Sequence, residues 1–266
     1  MATEERVEQK ERKPGIIGSR RVLLEKIDST NEEAKRLALV GGDHGTVVLA
    51  REQTAGRGRR GRSWHSPPGA SIYMSVLLRP PIEAGQASML TLVAALAVSR
   101  AIEEVCEQRA MIKWPNDLLL QEKKVCGILT EMSLDREGID HVIVGIGVNV
   151  GQQEFPEEIR QIATSLEMEC LAAIDRNRLV DGILEQLERL YQDFLKKKDL
   201  SFLKEEYNER LINIGRQVRV IEADREVLGE ALGIDEAGEL LIRRPDGEIG
   251  TICAGEVSVR GIYGYV

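Results

Sequence analysis

The chain has 266 residues, of which 36 are Lys or Arg and 44 Asp or Glu, giving a formal net charge of -8 with 42% hydrophobic, 30% charged and 4% aromatic residues. This is the composition of an ordinary soluble globular protein with a core of Leu, Ile, Val and Ala, and its acidic balance argues against a general nucleic-acid binder. The charged start Met1–Lys13 lacks the apolar segment of a signal peptide, and the longest uncharged run, Ala84–Ser99, is too short to cross a bilayer. Cys106, Cys126, Cys170 and Cys253 are scattered with no Cys-x-x-Cys pair, so they read as reduced cytoplasmic thiols and not as a zinc site.

Residues 1–20 read as a flexible polar lead-in. Arg21–Ile27 has strand character, and Asp28-Ser29-Thr30-Asn31 opens a helix in which Ser29 and Glu32, or Thr30 and Glu33, form a capping box. Gly41-Gly42 stops that helix, and Thr46–Ala50 is a buried strand. Ala70–Leu78 is a further strand, and Gln86 to about Gln108 is a long apolar helix, central to the core. Met111–Pro115 precedes a hairpin with arms Asp117–Leu120 and Lys124–Glu131, turning at Gln121–Lys123. His141–Val150 is a strand with closely spaced glycines. Asp175 to about Leu211 is helical, with Leu179, Ile183, Leu187, Leu190 and Phe194 at core-facing spacing. From Gly215 the texture changes to short strands and turns, such as Val218–Ile221, Glu239–Ile242, Asp246-Gly247 and Val257–Val259. The pattern predicts an α/β (α+β) fold with a mixed sheet, followed by a small β-barrel-like domain.

Between the second and third strands lies Gln53–Gly69, which sets Arg57, Arg59, Arg60 and Arg62 among Gly56, Gly58 and Gly61. Local positive charge in an acidic chain points to a small anion: glycines let backbone N–H groups approach, and arginines add charge-assisted hydrogen bonds. The glycines match Gly-x-Gly-x-x-Gly, but a dinucleotide site needs a helix directly after them. Here Ser66-Pro67-Pro68-Gly69 follows, and no Gly-Lys-Ser/Thr ending makes it a P-loop. A solvated basic loop is the plain alternative, against which Trp64 and the flanking apolar segments speak.

With this loop, Lys113-Trp-Pro-Asn-Asp117, Lys124-Val-Cys-Gly127, Gly145-Ile-Gly-Val-Asn149 and Ala254-Gly-Glu-Val-Ser258 in order, the chain resembles the biotin protein ligases from about Val22 to Val266. The resemblance implies a mixed-sheet catalytic domain at 21–213 and an SH3-like domain at 214–266. It implies a two-step reaction with biotin and Mg-ATP: biotin is activated as biotinyl-5′-AMP, then passed to a lysine of a biotin carboxyl carrier domain. Charge builds on phosphate and carbonyl oxygens in both steps, so fixed donors and cations are what such an enzyme needs.

On this resemblance Ser29, Thr30, Asn31, Gln53, Arg57 and Gly58 recognise biotin, and Trp64 packs over nucleotide and biotin. Arg59 holds the adenylate, and Lys124 meets both the biotin carboxylate and the α-phosphate; these two are the catalytic pair. Arg57, Lys113, Asn116 and Asn149 join the ATP site, with Asp117 a candidate for the Mg2+ ion. Gly145 and Gly147 allow close backbone approach, whereas Arg60, Arg62 and Lys123 have plain solvated readings. The resemblance further implies a cytoplasmic enzyme that pairs through a sheet edge as a homodimer. Only about two dozen residues precede Asp28, so no winged helix-turn-helix and no nucleic-acid partner are expected, nor any membrane. A lipoate or octanoate ligase or transferase and a noncatalytic biotin-binding regulator are the alternatives. The glycine-rich loop is expected to order only on ligand binding, because fixing it while empty costs entropy.

Overall fold

The computed structural model describes residues 5–9, 16–222, 225–253 and 257–261. The Ala254-Gly-Glu256 motif lies outside them.

The strands of the first sheet are β1 (Glu5–Gln9), β2 (Arg20–Ile27), β3 (Val47–Gln53), β4 (Ser71–Leu78), β5 (Met111–Lys113), β6 (Asp117–Leu120), β7 (Lys123–Leu134) and β8 (Ile139–Asn149). They pair in the order β1-β2-β3-β4-β8-β7-β6-β5. Only β2 and β3 run parallel, joined by the crossover helix α1 (Thr30–Leu39); the other neighbours are antiparallel. In the first 20 residues, read from sequence as an unstructured lead-in, Glu5–Gln9 pairs with Arg20–Leu24.

Helix α1 covers one face, packing Ala34 and Ala38 on Val22, Leu24, Val48, Leu77 and Ile143. The other face carries α2 (Met89–Cys106) and α4 (Arg176–Lys197), with the short α3 (Leu166–Cys170) before α4. All five positions predicted on α4, from Leu179 to Phe194, are buried there. Asp175 caps α4, accepting from the backbone N–H groups of Asn177 and Arg178. Strand β4 is buried at every position because layers cover both its faces.

The helical stretch predicted to reach about Leu211 breaks at Lys198, which takes a left-handed φ of 59°, and resumes as α5 (Lys204–Arg210). The second sheet follows: β9 (Gln217–Glu222), β10 (Arg225–Ile234), β11 (Leu240–Arg243), β12 (Ile249–Ile252) and β13 (Val257–Gly261), antiparallel in the order β12-β11-β10-β9-β13. Sequence reading had not separated β10 and β12 from the surrounding turns. Among the described residues no helix is long and apolar enough to cross a membrane.

Trp114, 1% exposed, joins the two sheets. Its backbone N–H donates to Asn213 Oδ1 at 2.9 Å, and its indole Nε1–H donates to the Gly238 carbonyl at 3.0 Å, in the turn before β11. A buried hydrogen bond contributes about 0.5–1.5 kcal/mol. Trp114→Phe removes the indole donor and strands the Gly238 carbonyl, so thermal denaturation should show a Tm lower by at least about 2–4 °C.

Candidate functional site

The site begins where β2 passes into α1. Asp28 accepts from the Ser29 N–H at 2.7 Å and is clamped by both Nη atoms of Arg36, at 2.7 and 3.0 Å. The Arg36 hydrogen bond holds the Asp28 carboxyl below its ordinary range. The predicted capping box does not form: Ser29 is the N-cap in extended conformation and its side chain makes no cap hydrogen bond. The side chains that would have capped the helix are turned inward instead, and Ser29, Thr30 and Asn31 are buried against the sheet.

Gln53, at the end of β3, accepts from the Thr30 N–H at 2.8 Å and lies 3.0 Å from the Thr30 hydroxyl. Its Nε2 donates to Ser66 Oγ, whose proton goes to the Trp64 carbonyl, both at 3.0 Å. Ser75 on β4 stands 2.8 Å from Thr30 Oγ1 and 2.6 Å from Asn31 Oδ1. Asn31 Nδ2 donates to Glu131 Oε2 at 2.8 Å. Sequence reading missed Ser66, Ser75 and Glu131, which have no motif of their own.

The floor is made of glycine. Gly127 on β7 pairs with Gly147 on β8, and Gly145 lies two residues away on the same face. A Cβ on Gly147 would stand 2.6 Å from Trp64 Cε2, one on Gly127 2.8 Å from Trp64 Cζ3, and one on Gly145 2.1 Å from Asn31 Oδ1. The indole and the carboxamide therefore rest directly on backbone.

The arginine-glycine loop, expected to order on ligand binding, has the following folded path. Gly58 N–H donates to the Arg62 carbonyl at 2.7 Å and Trp64 N–H to the Gly56 carbonyl at 2.8 Å. Between them a 3-10 turn at Arg59–Gly61 needs positive φ at Arg60 and Gly61, 58° and 71°. Arg59 donates to Asn116 Oδ1 at 3.1 Å, and Asn116 in turn donates to the Ile128 carbonyl at 3.1 Å. Exposed Arg57 pairs with Glu32 at 2.8 Å, and Arg60 and Arg62 are exposed.

Lys124 sits at a β-bulge, where the β6/β7 register shifts between Leu118 and Leu119. Such a bulge re-aims the side chains beside it. Lys124 Nζ lies 2.6 Å from Asp117 Oδ1 and 5.2 Å from the Trp64 ring centroid. Its backbone is held on the far side by the Ile162 carbonyl and the Thr164 N–H, at 2.8 and 2.9 Å. Lys123, expected to be exposed, is half-buried because the strand begins with it and the turn is only Gln121-Glu122, both at positive φ. Asn149 is buried and gives its Nδ2 to the Thr164 carbonyl at 3.0 Å.

Two adjoining cavities result. One of about 50 Å³ is lined by Ser29, Thr30, Asn31, Gln53, Gly145 and Gly147, among others. The other, about 500 Å³, is lined by Lys113, Asp117, Asn149, Phe155, Ile162 and Val259, among others. Gly58, Arg59, Trp64, Asn116 and Lys124 border both. Every residue that the resemblance assigns to biotin or ATP thus lines one cavity or both, whereas Asp28, Gly56, Gly61 and Lys123 line neither.

Comparison with known proteins decides what this arrangement is. Residues 23–149 match the biotin/lipoate A/B protein ligase family, and residues 214–260 match the biotin protein ligase C-terminal domain. The biotin–[acetyl-CoA-carboxylase] ligase of Paracoccus denitrificans is 37% identical over 230 residues, 85% of this chain and 95% of the relative. The chain belongs to the biotin protein ligase family. The bifunctional ligase/repressor BirA of Bacillus subtilis is 40% identical over 239 residues, covering 88% of this chain and 73% of BirA. The fold is that of the Aquifex aeolicus biotin protein ligase solved with biotin and ATP: TM-score 0.80 at 37% identity, covering 91% of this chain and 98% of that one. As a biotin–protein ligase the chain is an ATP-dependent enzyme, and the family reaction forms biotinyl-5′-AMP and transfers biotin to a carrier protein.

The Arg57–Glu32 pair is one external anchor of the loop, beside Arg59–Asn116. Hydrogen bonding from Lys35 first, then charge from Lys35 and Arg57, hold Glu32 below its ordinary 4.5. A lowered carboxylate keeps the pair intact above that range and opens it only as pH falls through the lowered value. Glu32→Gln should raise amide hydrogen exchange across Gly56–Arg62 in the ligand-free protein about two- to fivefold at neutral pH. The wild type should show the same rise only in acid.

Proposed function

We propose that the small cavity takes the biotin bicycle and the large one ATP, with the biotin carboxylate meeting the α-phosphate at the junction of the two. The observation that carries this reading is that Arg59 and Lys124, the two cations expected to be catalytic, border both cavities. Polar groups converge on the small cavity from Ser29, Thr30, Asn31 and Gln53, suiting a compact ligand with both donors and acceptors. The larger cavity, about 500 Å³, combines apolar walls at Phe155, Ile159 and Ile162 with Lys113, Arg59 and Arg62, a lining that suits a nucleotide.

In the first step a carboxylate oxygen of biotin bonds to the α-phosphorus and pyrophosphate leaves. Negative charge grows on the non-bridging oxygens, where Lys124 Nζ and the Arg59 guanidinium donate. Asp117 holds the lysine ammonium in place, and Asn116 does the same for Arg59. In the second step a carrier lysine amine attacks the acyl carbon of the mixed anhydride, and AMP leaves. Neither step uses a nucleophile of this chain. Trp64, lying over the glycine floor, covers the junction and keeps water from the anhydride.

Magnesium enters with ATP as part of the substrate. Among the described residues no group of three or more His, Cys, Asp or Glu could hold a metal by itself. A magnesium ion that keeps its waters and phosphate oxygens needs only one or two carboxylates, and Asp117 is the carboxylate lining the larger cavity. The partner is a biotin carboxyl carrier domain. The net charge of -8 disfavours DNA as a further one.

Biotin- and ATP-dependent labelling of a carrier domain tests this reading. Lys124→Ala should lower the rate about 100- to 1,000-fold, the loss typical of an aligned donor to developing charge, and Lys123→Ala should stay within about twofold. Equal rates in both variants would remove Lys124 from the reacting centre.

A further inference from the structure

A carboxamide has a donor end and an acceptor end, so a site that uses one must fix which end points where. Gln53 lines the small cavity, and the protein claims both ends of its side chain. Oε1 receives the Thr30 N–H at 2.8 Å and the Thr30 hydroxyl at 3.0 Å. Nε2 donates to Ser66 Oγ at 3.0 Å, and the Ser66 hydroxyl donates to the Trp64 carbonyl, also at 3.0 Å. The two outer members of this chain are backbone groups with no choice of role: the Thr30 N–H only donates and the Trp64 carbonyl only accepts. The single Ser66 proton therefore goes to Trp64, and Ser66 Oγ is left as the acceptor that Gln53 Nε2 needs. A reversed Gln53 would set Nε2 against the Thr30 N–H and Oε1 against the lone pairs of Ser66.

Ser66 is buried behind Gln53 and lines neither cavity. A Cβ on Gly56 would stand 2.6 Å from Ser66 Oγ, 2.6 Å from the Trp64 carbonyl oxygen and 3.1 Å from Gln53 Nε2. The first glycine of the arginine-glycine loop is thus small because these three groups meet against it. We propose that Ser66 is a positioning residue for recognition of the acid substrate, holding the Gln53 carboxamide in one orientation so that its oxygen stays beside Thr30 and its nitrogen beside Ser66. A buried network with every member paired has a single arrangement. A ligand whose donors and acceptors sit at fixed places, as in the ureido ring of biotin, needs such a wall. The inference rests on the assignment of the small cavity to biotin.

The test is a double-mutant cycle on Ser66→Ala and Gln53→Ala, read as the Kd for biotin together with kcat and the KM for ATP in carrier labelling. In the wild-type background Ser66→Ala should raise the Kd for biotin about 5- to 50-fold, the range for a buried polar group left without its partner, with kcat and the KM for ATP within about twofold. The Trp64 N–H keeps its bond to the Gly56 carbonyl in that variant, so the loop retains its path. In the Gln53→Ala background the same substitution should change the Kd for biotin by less than about twofold, since no carboxamide is left to position. Ser66→Cys, similar in size but a weaker donor and acceptor, should fall between the wild type and Ser66→Ala.

A folded Ser66→Ala protein that binds biotin as the wild type does would overturn the proposal. An equal loss in both backgrounds would do the same and reduce Ser66 to general support. So would a parallel rise in the KM for ATP, because Arg59 and Trp64 border both cavities and a merely loosened loop would weaken both ligands. Should Ser66→Ala fail to fold, Ser66→Cys in the same cycle decides by the same criteria. Gln53→Ala alone separates the two levels of inference. If it leaves biotin affinity untouched, the assignment of the cavity itself is wrong. If it weakens biotin while Ser66→Ala does not, only the positioning role fails.

Discussion

Everything in the site depends on missing side chains where β7 meets β8. Along β8 the even positions Val144, Ile146 and Val148 are buried in the main core with α2 and α4. The odd positions Gly145 and Gly147 face the other way and leave the sheet bare. Strand pleating puts these two sets on opposite faces with a period of two residues. A pattern of alternating branched residues and glycines therefore builds a packed wall on one side and a ligand floor on the other. Gly127, opposite Gly147, widens the floor across the strand boundary. Asn31 and Trp64 lie upon it.

A second constraint is electrostatic. Several cations gather at one place in a chain of net charge -8, and three of them are held by something specific. Arg57 has Glu32, Arg59 has Asn116, and Lys124 has Asp117. Their directions are thus set before any anion arrives, which is what lets fixed charge act on a reaction without reorganising at the moment of bond making. Around them, Asp28–Arg36 and the Glu32–Lys35–Glu131 chain tie the start of α1 to the sheet. Polar residues recruited to the site had to leave the helix end uncapped, and these surface pairs hold it in their place.

Much of this was legible in the sequence because the residues act in contiguous groups: Asp28–Asn31, the arginine-glycine loop, Lys113–Asp117 and the Gly-x-Gly of β8. An uninterrupted apolar run located α2, which is buried on nearly every side, and hydrophobic periodicity located α4, which buries one face. Long-range partners were not legible. Ser75 is one polar position in an otherwise apolar strand, and only the fold brings it to Thr30, 45 residues away in sequence. Ser66 and Glu131 are ordinary surface-type residues until β3, β7 and the loop are assembled. The capping box was misread for a physical reason: the same hydroxyls that cap helices also bind ligands, and here tertiary contacts won over the local hydrogen bond. The turn was read as Gln121–Lys123, one residue too long, because a two-residue hairpin at positive φ is normally marked by Asn-Gly or Asp-Gly.

Trp114 belongs by sequence to the Lys113–Asp117 motif, yet its indole donates to the carbonyl of Gly238, in the turn that leads into β11 of the second sheet. The backbone N–H of the same residue is bonded by Asn213, at the entrance to that sheet, and Val259 of β13 reaches the wall of the larger cavity. Two sheets that share a buried tryptophan in this way cannot open independently without exposing it. The molecule should consequently melt as a single cooperative unit, with the wall of the larger cavity and the second sheet lost in the same transition.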